Sequence, residues 1–368
     1  MPPWINHWRS MLEMNIPLLQ EDITTMQAPL INPLEHPAAW TVSEIGSKES
    51  FAIELDRRHI DALDRALVGV GRSLVGISRE TFKLDSIAND IDGWRQTVRN
   101  GLGIVMLRGL PLDRYEPSDL KRLYLGLGTH FGRPVSQSSL GDMVGEVVNV
   151  GGKDKRERAY RNSRELKLHT DRCDHLGMLC VRPAIEGGIS GYASALTIHN
   201  IMLQERPELL PLLYRGYYHH RFGEQAPGDP HVTKERIPIF SVAHGVPSVI
   251  YIRGYIDLAV EEGHVVLTGP EREALDVLDE ISNRSDVRLN FLMEPGDIIF
   301  TNNCLLLHTR SAFEDAKEPA RRRSLLRLWL REDDRPMSHG ALLHKGYDGI
   351  QRRDGKGTYY VPTVDAAF

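Results

Sequence analysis

The stretch LHTDRCD, residues 168–174, places a histidine and an aspartate two positions apart between apolar segments. If this stretch is a β-strand, its side chains alternate between two faces, so residues i and i+2 share one face. His169 and Asp171 then point at the same place. The spacing predicts a pair of metal ligands, provided that a further ligand reaches that place from elsewhere in the chain.

The further ligand that the sequence offers is His308, in the segment EPGDIIFTNNCLLLHTRSAFED (294–315). It follows two strand-like apolar runs and stands where a buried strand meets the rim of a sheet. Two histidines and one carboxylate form the facial triad of non-haem iron(II) oxygenases, which leaves metal positions open for other ligands. An HxD pair alone is weak evidence in a chain with 15 histidines, so this hypothesis depends on the residues around it.

The segment RRRSLLRLWLR (321–331) adds two arginines. In a strand, Arg323 and Arg327 share a face with Leu325 and Trp329. Buried cations are costly unless they meet anions, and a guanidinium binds a carboxylate through two parallel hydrogen bonds. The pattern predicts a place for a dicarboxylate beside the metal site.

Short apolar runs separated by turn residues fill the chain from about residue 145 onward. Many short strands of this kind favour a jelly-roll or barrel over an alternating parallel α/β sheet. The run SVIYIRG (248–254) is expected to be one such strand, with Tyr251 and Arg253 on one face. Helical periodicity predicts flanking helices at 58–69, 86–100 (with Ser86 as N-cap), 118–132 and 200–218. The expected fold class is mainly β with flanking α-helices.

Composition excludes several classes of protein. The chain has 368 residues, a net charge of −5 and 41% apolar residues, which are ordinary globular values. Basic residues (45) do not outnumber acidic ones (50), so we expect no nucleic-acid partner. No apolar run is long enough to cross a membrane, and Cys173, Cys180 and Cys304 form no disulfide pattern. We therefore expect a cytoplasmic protein; phosphate-loop, zincin, serine-hydrolase and zinc-deaminase motifs do not occur.

The order of the motifs resembles one known family. HTD is followed by Gly-Gly-x-Ser (187–190), then PGD, then NNxxLLH, then RxxxR. This order, over roughly residues 100–331, is similar to that of the taurine dioxygenase (TauD/TfdA) family of Fe(II)/2-oxoglutarate-dependent oxygenases. The resemblance implies a double-stranded β-helix core, the jelly roll of clavaminate synthase-like proteins.

The resemblance also implies roles for individual residues. His169, Asp171 and His308 would bind Fe(II). Arg323 would hold the distal carboxylate of 2-oxoglutarate with help from Ser190, which stands where the family has a threonine. The segment between His308 and the arginines is longer here than in the family, so Arg321 and Arg322 stay open as alternatives to Arg323. Arg327 would meet an acidic group of the primary substrate. No catalytic residue is implied beyond the iron centre.

The expected enzyme is an Fe(II)/2-oxoglutarate-dependent dioxygenase that uses O2 and releases succinate and CO2. Its substrate would be a small anion such as an amino acid, a carboxylic acid or a sulfonate, and hydroxylation, desaturation and oxidative decarboxylation all stay open. Asn162, Ser163 and Arg164, at the end of a basic loop (151–165), are candidate substrate contacts. Two alternatives stay open: a cupin-like metal oxygenase that does not use 2-oxoglutarate, and a non-catalytic jelly-roll binding protein.

The expected organisation is one compound domain. Residues 1–50 form an irregular lead-in, 51–335 a single TauD/TfdA-like catalytic domain, and 336–368 a C-terminal extension. Within the domain, the jelly-roll core spans about 100–331 and a helical insert spans about 198–218. The sequence leaves homo-oligomerisation open.

Overall fold

A computed structural model describes residues 29–138, 140–149, 162–225, 228–346 and 348–352. Most of the lead-in (1–28), most of the basic loop (150–161) and the end of the extension (353–368) lie outside the described residues. Within the described ranges, no helix is long and apolar enough to cross a membrane.

The strands are short, as the spacing of turn residues predicts. They are β1 Ala52–Glu54, β2 Ile104–Arg108, β3 Arg133–Pro134, β4 Gly145–Val148, β5 Leu166–His169, β6 His175–Arg182, β7 Glu186–Gly187, β8 Ser190–Ser194, β9 Phe240–Ala243, β10 Val246–Val249, β11 Arg288–Phe291, β12 Ile298–Asn302, β13 Leu306–Arg310, β14 Phe313–Glu314 and β15 Ser324–Arg331. The helices are α1 Val42–Ile45, α2 Arg57–Gly69, α3 Ala88–Asn100, α4 Pro117–Gly128, α5 Ala195–Glu205, α6 Leu210–Arg215, α7 Arg253–Glu261, α8 Gly269–Ser282 and α9 His339–Lys345.

Two facing sheets form the β core of the described chain. The larger has the order β1-β2-β12-β6-β15-β3, with β4 also paired to β15, and the smaller has the order β11-β8-β13-β5. All pairs are antiparallel except β1 with β2. The strands β9–β10 and β7–β14 form two further small pairs. This is the jelly-roll core that the sequence predicts.

The large sheet is buried on both faces, which explains its nearly continuous apolar strands. On β2, Val105 and Leu107 pack against helices α2–α4, whereas Ile104 and Met106 face the small sheet. Strand β15 repeats the alternation, since Leu326, Leu328 and Leu330 join the helix-side core and Leu325 joins the core between the sheets. A second group of helices, α5–α8, covers the outside of the small sheet. Arg327, which alternates in phase with Leu325, therefore faces the space between the sheets.

Two local predictions are wrong, and the bounds of two predicted helices differ from those in the structure. Ser86 does not cap a helix, because a 3₁₀ turn precedes α3 and the Ser86 hydroxyl accepts a hydrogen bond from Arg65 at 3.0 Å. The run 248–254 is not one strand either. Strand β10 ends at Val249 and Arg253 begins α7, where it pairs with Asp257 one turn later at 2.8 Å. The predicted insert at 200–218 is two helices, α5 and α6, and the helix predicted at 118–132 ends at Gly128.

Candidate metal centre

His169, Asp171 and His308 meet at one end of the space between the sheets. His308 on β13 lies directly opposite His169 on β5, and their ring centroids are 4.2 Å apart. The Nε2 atoms of His169 and His308 lie 3.9 and 4.0 Å from the two oxygens of Asp171. One ligand atom from each residue lies within 4.8 Å of the others. Two imidazoles and one carboxylate at this spacing could hold a ferrous ion and leave positions open for other ligands.

The predicted reason for this convergence is only partly right. Strand β5 ends at His169, so Asp171 does not share a strand face with it. Beyond His169 the chain leaves its partner strand, and the amide of Thr170 donates to the carbonyl of Tyr251 at 2.8 Å. Asn303 then fixes the backbone of Asp171, since its side chain accepts from the Asp171 amide at 2.9 Å and donates to the Asp171 carbonyl at 2.7 Å.

Hydrogen bonds orient the ligand side chains. His169 Nδ1 lies 2.7 Å from the carbonyl of Lys167, so Nδ1 carries the proton and Nε2 keeps its lone pair for a metal. Trp329 and Arg327 donate to Oδ2 of Asp171 at 2.8 and 3.0 Å, which leaves Oδ1 toward His169. Such outer partners fix the geometry of metal ligands and tune their basicity.

The environment of the three candidate ligands keeps each one in the protonation state that binds a metal. Burial opposes the ionisation of Asp171, but Arg327, the two histidines and the Trp329 N–H outweigh it and lower the pKa of Asp171 to about 2. Burial lowers the pKa of His169 and lowers that of His308 to about 3. The carboxylate is therefore ionised and both imidazoles are neutral near pH 7, as coordination requires.

Of the three arginines that the sequence left open, Arg323 is the buried one. Arg321 is exposed, Arg322 is half-buried, and Arg323 is 4% exposed. Within the described chain, Nη1 of Arg323 has no hydrogen-bond partner and no carboxylate forms an ion pair with the guanidinium. A buried cation in this state fits a binding place for an anionic group. Ser190, also buried, lies on β8 and is paired in register with Arg310 of β13.

An open pocket of about 800 Å³, a volume that includes solvent at its mouth, adjoins the triad. His169, Asp171 and Arg327 form part of its wall. The wall of described residues does not include Asn162, Ser163 or Arg164, which the sequence proposed as substrate contacts. Their backbone instead bonds to the strands around the site: the Ser163 carbonyl accepts from the Phe313 amide at 3.1 Å.

Some residues of the site were missed in the sequence. Arg310 lies two residues beyond His308, so strand alternation alone could have selected it. Gln137 gives no such signal: it accepts from Nε of Arg327 at 2.8 Å and donates to the Arg327 carbonyl at 3.0 Å, across 190 positions of sequence. Arg327 was expected, but it is bonded to Asp171 and Gln137 as well as lining the pocket.

Known proteins share this sequence and fold. FR-33289 synthase of Streptomyces rubellomurinus is 28% identical over 310 residues, which are 82% of this chain and 91% of that protein. The taurine hydroxylase-like protein SAT17 of Stachybotrys chartarum is 27% identical over 322 residues, 83% of this chain and 81% of that protein.

Solved structures share the fold at lower identity. Asparagine oxygenase in complex with Fe(II), hydroxyasparagine and succinate superimposes with a TM-score of 0.57 at 15% identity, covering 76% of this chain and 93% of that one. The non-haem iron oxygenase OrfP with Fe and alpha-ketoglutaric acid gives 0.57 at 15% identity, covering 77% and 94%. The sequence model of the taurine catabolism dioxygenase family TauD/TfdA matches residues 69–329. The chain thus belongs to the TauD/TfdA family and is an Fe(II)/2-oxoglutarate-dependent dioxygenase.

Proposed function

We propose that this dioxygenase oxidises a small anionic molecule at an iron centre formed by His169, Asp171 and His308. The observation that carries the proposal is the convergence of these three side chains, with their ligand atoms within 4.8 Å of one another, beside an open pocket. When bound, iron and 2-oxoglutarate supply the oxidising chemistry, in which O2 is consumed and 2-oxoglutarate becomes succinate and CO2.

The protein's own residues would position these groups. The Lys167 carbonyl holds the tautomer of His169, while Trp329 and Arg327 hold Asp171 with Oδ1 toward His169. Arg323 would bind the distal carboxylate of 2-oxoglutarate, with Ser190, on β8 of the other sheet, as a hydroxyl donor. Burial of Arg323 excludes water from that carboxylate and strengthens its attraction.

The walls of the pocket favour an anionic substrate. Lys167, Arg172, Arg253 and Arg327 all line it, against one carboxylate, Asp171. Arg253 is balanced by the aspartates of α7 and α8, and Arg172 by Glu224. Lys167 has no carboxylate within ion-pair distance among the described residues, so it is the first candidate for contact with a substrate carboxylate or sulfonate. Arg327 lines the pocket as well, but it shares its charge with Asp171 at 3.0 Å.

An amino acid is the substrate class that we favour. The structure of asparagine oxygenase is in complex with hydroxyasparagine, and that of OrfP is in complex with hydroxyarginine. Hydroxylation is the reaction that we expect first, with desaturation and oxidative decarboxylation as the other outcomes of the same oxidising centre. Asn162, Ser163 and Arg164 remain proposed substrate contacts that lie outside the described wall of the pocket.

The remaining expectations stand as proposals. We propose that residues 51–335 form one catalytic domain, because one cluster of buried residues contains side chains from both sheets. A reducing, cytoplasmic compartment is supported by Cys173, Cys180 and Cys304, which are buried and unpaired with one another.

An anaerobic titration tests the iron centre. Purified protein is mixed with Fe(II) and then with 2-oxoglutarate, and the visible metal-to-ligand charge-transfer band is recorded. We expect the band in the wild type and in the surface control Asp113→Asn, and its loss in Asp171→Ala. An Asp171→Ala variant that keeps the full band would contradict the ligand assignment.

A further inference from the structure

A second buried guanidinium lies beside that of Arg323. Arg310, on β13, is 5% exposed, and its Nη2 donates to the carbonyl of Arg164. Its Nε and Nη1 atoms have no hydrogen-bond partner among the residues that the structure describes. Burying a charged group with unsatisfied donors is costly unless an anion completes the site.

Arg310 and Arg323 converge on one aromatic ring. The guanidinium carbons lie 4.7 and 5.0 Å from the centroid of Phe313. Asp315 is nearby, but its carboxylate accepts the backbone amide of Arg323 at 2.7 Å and lies outside ion-pair distance of both guanidinium groups. In the described structure, neither cation has a carboxylate within 4.0 Å. Two buried cations that contact the same ring, without a described carboxylate to balance them, favour the binding of an anion near both.

The position of Arg310 on β13 sets the distance between the two arginines and the metal ligand His308. His308 and Arg310 are separated by one residue on β13, so their side chains share a face about 7 Å apart along the strand. Ser190 is the cross-strand partner of Arg310. A five-carbon dicarboxylate that places its 2-oxo acid end at the metal can extend over this distance and bring its other carboxylate to the arginines.

We propose that Arg310 is a second cosubstrate-binding residue, which shares the distal carboxylate of 2-oxoglutarate with Arg323. This inference rests on the proposed function, because it takes 2-oxoglutarate to be bound at the iron centre. One carboxylate between two buried guanidinium groups would satisfy donors that have no partner among the described residues. The site then prefers a 2-oxo acid that has a second carboxylate. A 2-oxo monoacid of the same length forms no ion pair with either arginine and binds more weakly.

The test compares two ligands that differ in this carboxylate. Fe(II)-loaded, full-length protein is titrated anaerobically with 2-oxoglutarate and with 2-oxopentanoate, which lacks the distal carboxylate, and the preference is the ratio of their dissociation constants. We expect Arg310→Gln to reduce this preference at least about ten-fold, with Fe(II) affinity unchanged and partial recovery in Arg310→Lys. If Arg310→Gln does not fold, Arg310→Lys is compared with the wild type, and we expect a smaller reduction in the same ratio.

A purely structural role predicts a different result. If Arg310 only holds the Arg164 carbonyl, its replacement weakens both ligands equally, and an unchanged ratio would overturn the proposal. Arg323→Gln, measured in parallel, separates the two levels of inference. Loss of preference in Arg323→Gln but not in the Arg310 variants rejects this inference alone. No preference for 2-oxoglutarate in the wild type rejects both this inference and the proposed cosubstrate site.

Discussion

Trp329 donates its indole N–H to Oδ2 of Asp171 at 2.8 Å, which leaves Oδ1 on the side of His169. Arg327, two residues earlier on β15, donates to the same Oδ2 at 3.0 Å. Two hydrogen bonds from β15 therefore hold Oδ2, while Oδ1 lies 3.9 Å from Nε2 of His169. Two side chains on one face of β15 thus fix the orientation of the Asp171 carboxylate.

Removing the indole donor should weaken metal binding. Trp329→Phe keeps an aromatic ring but loses the hydrogen bond to Asp171, and loss of such outer partners typically lowers metal affinity 10–100-fold. We expect a loss of about ten-fold in Fe(II) affinity, measured by anaerobic titration followed by the charge-transfer band. Trp94→Phe, in the core formed by the outer helices, is the matched control. Equal Fe(II) affinity in the two variants would show that the indole bond does not orient the ligand.

Gly145 should be intolerant of a side chain. It lies opposite Arg327 across the β4–β15 pair, and a Cβ atom there would come within 2.4 Å of the Gln137 side-chain oxygen. Because Gln137 holds Arg327, Gly145→Ala must displace one or the other; we expect a loss of about 1–3 kcal/mol in the free energy of unfolding, measured by urea denaturation. The control is Gly71→Ala, where a Cβ meets no atom within 4 Å. Equal free energies of unfolding in the two variants would show that the structure accommodates the added methyl group at residue 145 without loss of stability.

Strand alternation explains how much of the site was visible in the sequence. It placed Arg327 and Trp329 on one face, and the structure confirms that both reach Asp171. It did not reveal Gln137 or the role of Asn303, because these residues act through contacts more than a hundred positions away in sequence. The alternation of residues along a strand predicts the face on which a side chain lies. It does not predict which distant residue that side chain contacts.

Tertiary contacts explain why some elements were wrong. The run VIYIRGYI has the β-branched and aromatic residues of a strand, but its second half is helical from Arg253. The Arg253 guanidinium bonds to Asp257 on its own helix and to Asp276 and Asp279 on α8, at 2.8 to 3.0 Å. The ion pairs with Asp276 and Asp279 join α7 to α8. Local secondary-structure propensity cannot predict such long-range contacts.

Acid should destabilise the fold partly through His199. This residue is fully buried in α5, near Phe240 and bonded to Tyr214, and burial lowers its pKa to about 4. The unfolded chain takes up a proton near pH 6.5 and the folded chain only near pH 4, so stability falls as the pH drops through this window.

The slope that this histidine contributes is about 1.4 kcal/mol per pH unit. Denaturation of the metal-free protein between pH 7 and pH 4.5 should give a shallower decline in His199→Gln than in the wild type. His339→Gln, at an exposed position, is the control for the loss of a histidine. Parallel declines in the wild type and His199→Gln would exclude this contribution.

Lys345 should anchor α9 to the β core. Its Nζ lies 2.9 Å from Oδ1 of Asp174, and both side chains are almost completely buried. Lys345→Met leaves the Asp174 carboxylate with Arg331 as its remaining cationic partner, at 3.4 Å, and breaking a buried pair typically costs about 3–5 kcal/mol. We expect a loss of that size in the free energy of unfolding by urea, and a smaller loss in the double variant Lys345→Met/Asp174→Asn, which removes the unpaired charge. A double variant no more stable than Lys345→Met would show that the loss comes from packing rather than from charge.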